Sequence, residues 1–583
     1  MATKPNAKQA LVDCAMIGVI SKPSQTVVVE EFFQLFKTPW EFYKEGRSYD
    51  VVVATTGDVP KVTSRLLVAY GTRNADFDAQ AGIVGSVRLR CATLNYRGCG
   101  LPIYSEVLTF EQTGVAEACL TTGSRMVGIK IDSGDSVLLR IGYDLFGEIQ
   151  FLLSVGQPVE NAHIPTLEIH IAMLREWMID AGIDFLEIPP VPAGHPFTVC
   201  LTHDIDFVGI RRHKFDHTMW GFLFRSTIGS AREFLRRRIS LMRLCEAWKA
   251  AASLPLVYLG WAKDFWLCFD WYLQLERGLT PTYFFIPFKS RCGDHVAADH
   301  PRRRATAYDI GDVPDLISQL RGEGCEVGVH GIDSWHTVKG GREELSRVKS
   351  VTGESELGIR MHWLLHDENT YQVLEEAGYC YDSTAGYNET PGYRCGTTQV
   401  FRPLPARKLL ELPMHIQDGA LFLPSRLGLS ECEAWKQCDT VITNAQRLGG
   451  VLTILWHDRS PAPERFWGEF YVKLVTYLKS LNVWFAGAGQ VVAWFRSRRA
   501  VRFESVPSKD GVARIRLCAG GSYVTPPMRV VLYSTCPTEH NGAGTGRRTF
   551  VYAWDGSADI EFGLLADSGT PEPAVCPSQC SRE

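Results

Sequence analysis

Between Phe197 and about Arg499 the chain alternates short, almost continuously apolar runs with stretches whose apolar residues fall at helical spacing. The runs are FTVCLT from Phe197, TYFFIPF from Thr282, EVGVH from Glu326, LLELPMHI from Leu409, VLTILWH from Val451 and VWFAGAG from Val483. Strands buried on both faces read this way, because neither face alternates with solvent. DVPDLISQLRGEG, from Asp312, and ENTYQVLEEAGY, from Glu368, read as helices between them. Strand alternating with helix over roughly 300 residues predicts a parallel α/β sheet, as a barrel or a large doubly wound sheet.

On the amino-terminal side, YDVVVATTG, SRLLVAYGT and SVLLRIGYD read as strands, and VVVEEFFQLFKTPWEFY and TLEIHIAMLREWMIDAG as helical pieces. Residues 1–186 are therefore expected to form an α/β domain. The Pro-rich EIPPVPAGHP, 187–196, breaks regular structure and reads as a linker. Past Arg499, ARIRLCAGG, MRVVLYST, RTFVYAWDG and DIEFGLLA predict a small β unit over 500–567, with a disordered tail at 568–583. The barrel segment, 197–499, carries one long excursion at 213–278, rich in Trp, Phe, Leu and Arg, expected to be helical and packed outside.

The length predicts two or three domains. Hydrophobic residues at 45% and charged residues at 22% describe a folded globular chain. A net charge of -4 supplies no global field for nucleic acid, so no nucleic-acid partner is expected. The 17 cysteines are odd in number and scattered, no CxxC pair occurs, and the start lacks the layout of a secretory signal. Reduced thiols and a cytoplasmic location are the expectation. Leu254 to Leu275 is the most apolar long stretch, yet Lys263, Asp264 and Asp270 would each cost roughly 2.5–3.5 kcal/mol at a bilayer centre, so a buried aromatic helix is predicted. Trp220 to Leu244 interleaves six Arg with apolar residues. It reads as a helix packing on the barrel with a solvated basic face, the alternative being an interfacial helix that meets a membrane surface or a lipid-linked sugar.

Chemistry concentrates where the runs end. FTVCLTHDID finishes on Asp204 and Asp206, EVGVH on His330, LLELPMHIQD on His415 or Asp418, and VLTILWH on His457. In parallel α/β architectures catalytic groups sit at the carboxyl ends of strands. Asp204 and Asp206 share one strand face, and two neighbouring carboxylates repel unless a cation or a shared proton separates them. Asp oxygen with His nitrogen is the donor mix expected for zinc or a related divalent ion. Taken singly, each residue has an ordinary structural explanation: a helix cap for Asp204, a core histidine for His330, a salt bridge for Arg360, a loop hydrogen bond for His457.

The ordered set LTHDID, EVGVHGIDSWH, GIRMHWL, YDST and TILWHD resembles the polysaccharide deacetylases of the NodB-homology type, carbohydrate esterase family 4, in their THDxD form. The resemblance covers about Phe197 to Arg499. It implies a distorted (β/α) barrel that removes acetyl groups from N-acetylated sugars with a divalent metal, zinc or cobalt. It further implies Asp204 as general base, Asp206 and His330 as metal ligands, Arg360 as the residue orienting the base, and His457 as general acid. The family's HxxxH is interrupted here, because Ser334 stands where the second histidine would be. His336 is then the expected third ligand, with His362 and Asp333 as alternatives. His362, Trp363, Asp382, Trp456 and Asp458 are the expected substrate-binding residues, and Asp458 or another nearby acid is expected to hold the His457 tautomer. Two other functions fit the same motifs: a carbon–nitrogen hydrolase acting on a non-sugar amide, and a catalytically silent carbohydrate-binding protein.

Overall fold

The computed structural model describes residues 16–57, 59–60, 62–111, 117–293, 304–506, 514–518, 523–537, 545–563 and 574–575. The chain divides into two compact units, one of Met1–Phe151, Thr166–Gly194 and Trp494–Glu583, the other of Leu152–Pro165 and His195–Ala493.

The first unit contains an eleven-stranded mixed sheet. Ile17–Ile20 pairs in parallel with Trp40–Phe42 and Val51–Ala54, Val51–Ala54 with Leu66–Tyr70, and Leu66–Tyr70 with Val137–Ile141. The stretch expected to be helical to Tyr43 stops at Leu35, and Trp40–Phe42 continues as a strand. Pro39 ends the helical reading there, since the residue before a proline disfavours helical backbone. Phe185–Glu187 pairs antiparallel with Met528–Pro537, which pairs in turn with Thr545–Trp554. The expected amino-terminal domain and carboxyl-terminal β unit therefore fall in one compact unit, and Glu187, assigned above to the linker, is part of a strand. Of the expected disordered tail, 574–575 forms a short strand on Ile560–Gly563; the rest lies outside the described residues.

The second unit is built on a parallel sheet of nine strands. Thr198–Ile205 is central and buried at every residue. Thr282–Phe285, Glu326–Gly331, Ile359–Met361, Tyr381–Asp382 and Leu410–Glu411 follow in order on one side. Val451–Leu455 and then Ile416–Gln417 lie on the other, and Trp484–Phe485 pairs with the start of the central strand. Leu410–Glu411 and Ile416–Gln417 are two parts of one extended segment. Leu412 N donates to Asp382 O at 2.8 Å and Met414 N to Ala385 O at 2.9 Å, whereas His415 N donates to Thr453 O at 3.0 Å. One segment thus bonds both margins of the sheet and curls it, as a distorted (β/α) barrel requires.

Helices Pro314–Gly322, Val338–Thr352, Thr370–Ala377, Glu431–Leu448 and Gly468–Ser480 connect these strands. Their apolar stripes meet the sheet in two buried clusters, one around Tyr283, Val329 and Leu374 and one around Leu201, Trp456 and Tyr471. The excursion after the central strand is helical, as His217–Phe224, Ser230–Leu235, Leu241–Tyr258 and Phe269–Leu275. The apolar stretch Leu254 to Leu275 is not one helix: it breaks at Tyr258 and resumes at Phe269. Between them the Asp264 carboxylate accepts from the backbone N–H groups of Ile210 and Arg211 at 3.0 Å each. Among the described residues no helix is long and apolar enough to cross a membrane.

Candidate active site

The central strand alternates its side chains between two environments, as pleating dictates. His203 faces the helices. It packs on Tyr272 and Tyr283, contacts Trp456 O through Nδ1 at 2.8 Å and contacts the Glu276 carboxylate through Nε2 at 3.1 Å. Thr202, Asp204 and Asp206 project the other way. Parallel register then assembles the site: His330 pairs with Arg360 across neighbouring strands, and His362 follows two residues later where Ile359–Met361 ends.

Asp206, His330 and His362 each bring one ligand atom to a common point, all within 4.8 Å of one another. His362 Nδ1 is 3.0 Å from His330 Nε2, and Asp206 Oδ1 is 3.2 Å from the former and 3.4 Å from the latter. Ligand atoms about 2.0–2.1 Å from a tetrahedral ion sit about 3.3 Å apart, so these spacings fit a zinc-sized ion. Asp206 Oδ1 is buried and makes no hydrogen bond among the described residues. His330 Nδ1 lies 3.0 Å from the Arg360 carbonyl oxygen, which leaves Nε2 bare toward the cluster. A backbone acceptor behind a ligating histidine is a common device for fixing the tautomer. Burial alone would raise the Asp206 carboxyl, yet the imidazoles of His362, His330 and His457 hold it well below the usual carboxylate range. Burial lowers His362, which favours the neutral, metal-competent ring. The donor set, its spacing and the unsatisfied oxygen all fit a divalent ion.

Asp204 flanks this cluster, its Oδ2 3.8 Å from His330 Nε2. Arg360, fully buried, donates through Nη1 to Asp204 Oδ1 at 3.1 Å and to Thr202 Oγ1 at 2.7 Å. Its Nε and Nη2 are fixed by the Ser383 carbonyl and hydroxyl at 2.9 Å each, and Phe284 covers the guanidinium face at 4.7 Å. On the other side, His457 Nε2 is 4.0 Å from Asp206 Oδ2. The Asp418 carboxylate holds His457 twice, accepting at 2.6 Å from Nδ1 and at 2.8 Å from the backbone N–H; Ser460 also donates to it. Burial would lower the His457 imidazole, but Asp418 and then Asp206 raise it to about 9. An imidazolium there presents its second N–H to the site.

His336 faces Asp367 at 3.7 Å and lies beside the Trp335 ring, and it does not join the ligand cluster; His362 occupies that place instead. Asp333 is likewise outside the cluster: its backbone N–H donates to Glu344, as part of the loop after His330. Trp363, with left-handed backbone at φ 66° and 40% exposure, stands next to His362 at the opening. Asp382 and Trp456 are fully enclosed. Asp382 accepts from Thr384 and opposes Glu411 across the sheet, where burial pushes it up to about 6 and raises Glu411 well above its usual value. Trp456 stacks on Tyr471 and Phe470 in the core. Neither side chain is exposed to a substrate: Asp382 lies on the two-residue strand Tyr381–Asp382 against Glu411, and Trp456 directly follows Val451–Leu455 and packs into the core. Asp458 is buried beside Asp206 and its carboxylate makes no hydrogen bond among the described residues; burial raises it well above the usual range. The tautomer-holding acid of His457 is Asp418, not Asp458. Asp418 closes LLELPMHIQD, so the run itself carried the signal. His415 is a core group, its Nδ1 accepting from Thr453 N at 3.3 Å and its Nε2 3.2 Å from Thr397 O.

No protein-family model matches the chain, and no curated protein matches it. Among solved structures, a carbohydrate deacetylase is similar at 8% identity and a TM-score of 0.39, over 97% of this chain and 99% of its own. A polysaccharide deacetylase from Mycobacterium smegmatis is similar at 18% identity and a TM-score of 0.32, over 53% of this chain and 95% of its own. An allantoinase is similar at 14% identity and a TM-score of 0.30, over 52% of this chain and 91% of its own. Solved polysaccharide and carbohydrate deacetylases are thus among the structures similar to this chain, whose own motifs resemble that group.

Proposed function

We propose that the chain is a metal-dependent hydrolase that removes the acetyl group from an N-acetylated saccharide. The observation that carries this reading is the convergence of Asp206 Oδ1, His330 Nε2 and His362 Nδ1 between a buried, arginine-held carboxylate and a carboxylate-held imidazole. Three protein ligands leave a position open for water or substrate, as catalytic sites do. Asp206, His330 and His362 would hold the ion, and zinc is the metal that this donor set and spacing favour. Bound there, it supplies the charge that makes water acidic near neutral pH and that stabilises the oxygen of a carbonyl under attack.

The protein's own groups do the rest. Arg360 fixes Oδ1 of Asp204 and leaves Oδ2 to take the proton of the attacking water. Asp418 keeps His457 protonated and turned so that Nε2 faces the site, where it delivers a proton to the departing amine. Without that proton the amine would leave as a strongly basic anion. Trp363 offers an exposed aromatic face beside His362, suited to the apolar face of a sugar ring.

The test is acetate release from N-acetylglucosamine oligomers, nucleotide-linked N-acetyl sugars and simple amides by metal-loaded protein. Release from the sugars supports the reading; release from the simple amides alone would refute the saccharide assignment.

A further inference from the structure

The excursion that leaves the barrel after Asp206 carries more apolar surface than its packing uses. Leu241–Tyr258 has two apolar stripes. Leu244, Ala247, Ala250, Leu254 and Val257 are buried, and the last three join Met219, Phe222 and Trp266 in a cluster of their own. Leu241, Trp248, Leu256 and Leu259 line another stripe and are 45–61% exposed. The preceding helical stretch does the same. Met219 and Phe222 point inward, while Trp220 at 58%, Phe224 at 58% and Ile228 at 63% recur every fourth residue on the outside, continued by Leu235 at 81%. Phe215 and Trp261 add exposures of 81% and 77% at the ends. Large apolar side chains outside a helix's buried stripe are normally covered when they cluster, and these are exposed.

The charge around this surface has one sign in excess. Arg236 and Arg238 both pair with Glu233, at 3.4 and 3.5 Å, with Arg237 between them and Glu433 as a further acid near Arg238. Arg232, Lys214 and Lys249 lie on the same excursion. Exposed Trp, Phe and Leu on helices bordered by clustered arginines form the composition of an interfacial, membrane-surface helix. The arginines complement anionic headgroups, each near-surface cation adding to the attraction. No helix here could span the bilayer, so the contact would lie in the interface plane.

We infer that the helical excursion, through Trp220, Phe224, Ile228, Leu235, Trp248 and its arginines, docks on the surface of an anionic lipid bilayer. The inference stands apart from the hydrolase reading, and its readout is binding alone.

The experiment is flotation of the full-length protein with phosphatidylcholine vesicles and with vesicles containing phosphatidylglycerol. The protein is expected to float with the anionic vesicles and to bind neutral ones at least about tenfold more weakly. Arg236→Glu/Arg237→Glu/Arg238→Glu and, separately, Trp220→Ser/Phe224→Ser are each expected to reduce anionic-vesicle binding by about tenfold or more. Both alter exposed side chains, and unchanged thermal melting would show that the fold survives. Failure of the unaltered protein to float, equal binding to both vesicle types, or binding that survives both variants would overturn the inference. So would light scattering at twice the monomer mass that Trp220→Ser/Phe224→Ser abolishes, without flotation, since a second copy would then cover this face.

Discussion

Two imidazole nitrogens 3.0 Å apart with a buried carboxylate oxygen against both are an expensive arrangement without a cation, because three electron-rich donor atoms converge on one point. His362→Ala is therefore expected to lower metal affinity by at least about 100-fold, with loss of acetate release, whereas His336→Ala leaves metal content unchanged. Metal analysis of both variants decides between them, and equal retention by His362→Ala would remove it from the ligand set. His457 makes a separate prediction. Asp418 raises its imidazole to about 9, so the proton-donating form is present below that value and is lost as pH rises through it. Asp418→Asn should move the alkaline limb of the rate profile toward the ordinary histidine value of about 6.5 and lower kcat by about 100-fold or more. A profile with an unmoved alkaline limb would exclude His457 as the acid.

At the scale of elements, the site depends on strands too short to announce themselves. Ile359–Met361 and Tyr381–Asp382 have three and two residues, below the length at which apolar periodicity is visible, yet the first sets Arg360 beside Asp204 and His362 beside His330. The long runs were legible because both faces of each strand are buried, and Asp204, Asp206, His330 and His457 were legible as their polar ends. The neighbourhood of His362 was less so, because it arises from parallel register between residues 32 apart, and the interrupted HxxxH drew attention to His336 instead. One close approach pins the short strands together: a Cβ at Gly358 would lie 2.0 Å from the Tyr381 ring, itself anchored by a 2.7 Å bond to Glu326. Gly358→Ala is expected to cost about 1–3 kcal/mol of stability by overpacking, measured by chemical denaturation, and to reduce activity through displacement of Arg360. An unchanged denaturation midpoint would show that the ring can move aside.

At the scale of the molecule, the curled parallel sheet brings residues from five separated strand ends to one opening, and the segment from Leu410 to Gln417 closes it. His415 sits in that segment, buried and held by burial down to about 4. The unfolded chain takes up this proton first, at about pH 6.5, so the stability tied to neutral His415 is complete above that value and is lost as pH falls toward 4, by about 1.4 kcal/mol per pH unit. His415→Gln should flatten urea midpoints across this window; an unchanged slope would assign the acid sensitivity elsewhere. The pairing of Phe185–Glu187 with Met528–Pro537 was not legible in the sequence, since antiparallel partners more than 300 residues apart leave no local pattern. The reaction proposed for this opening is metal-dependent hydrolysis of an acetamide. The most direct measurement is acetate release from N-acetylglucosamine oligomers by chelator-treated protein as zinc or cobalt is added back. No release is expected without metal, and recovery is expected to saturate near one equivalent. No release at any metal concentration, or full release with none, would contradict the proposed reaction.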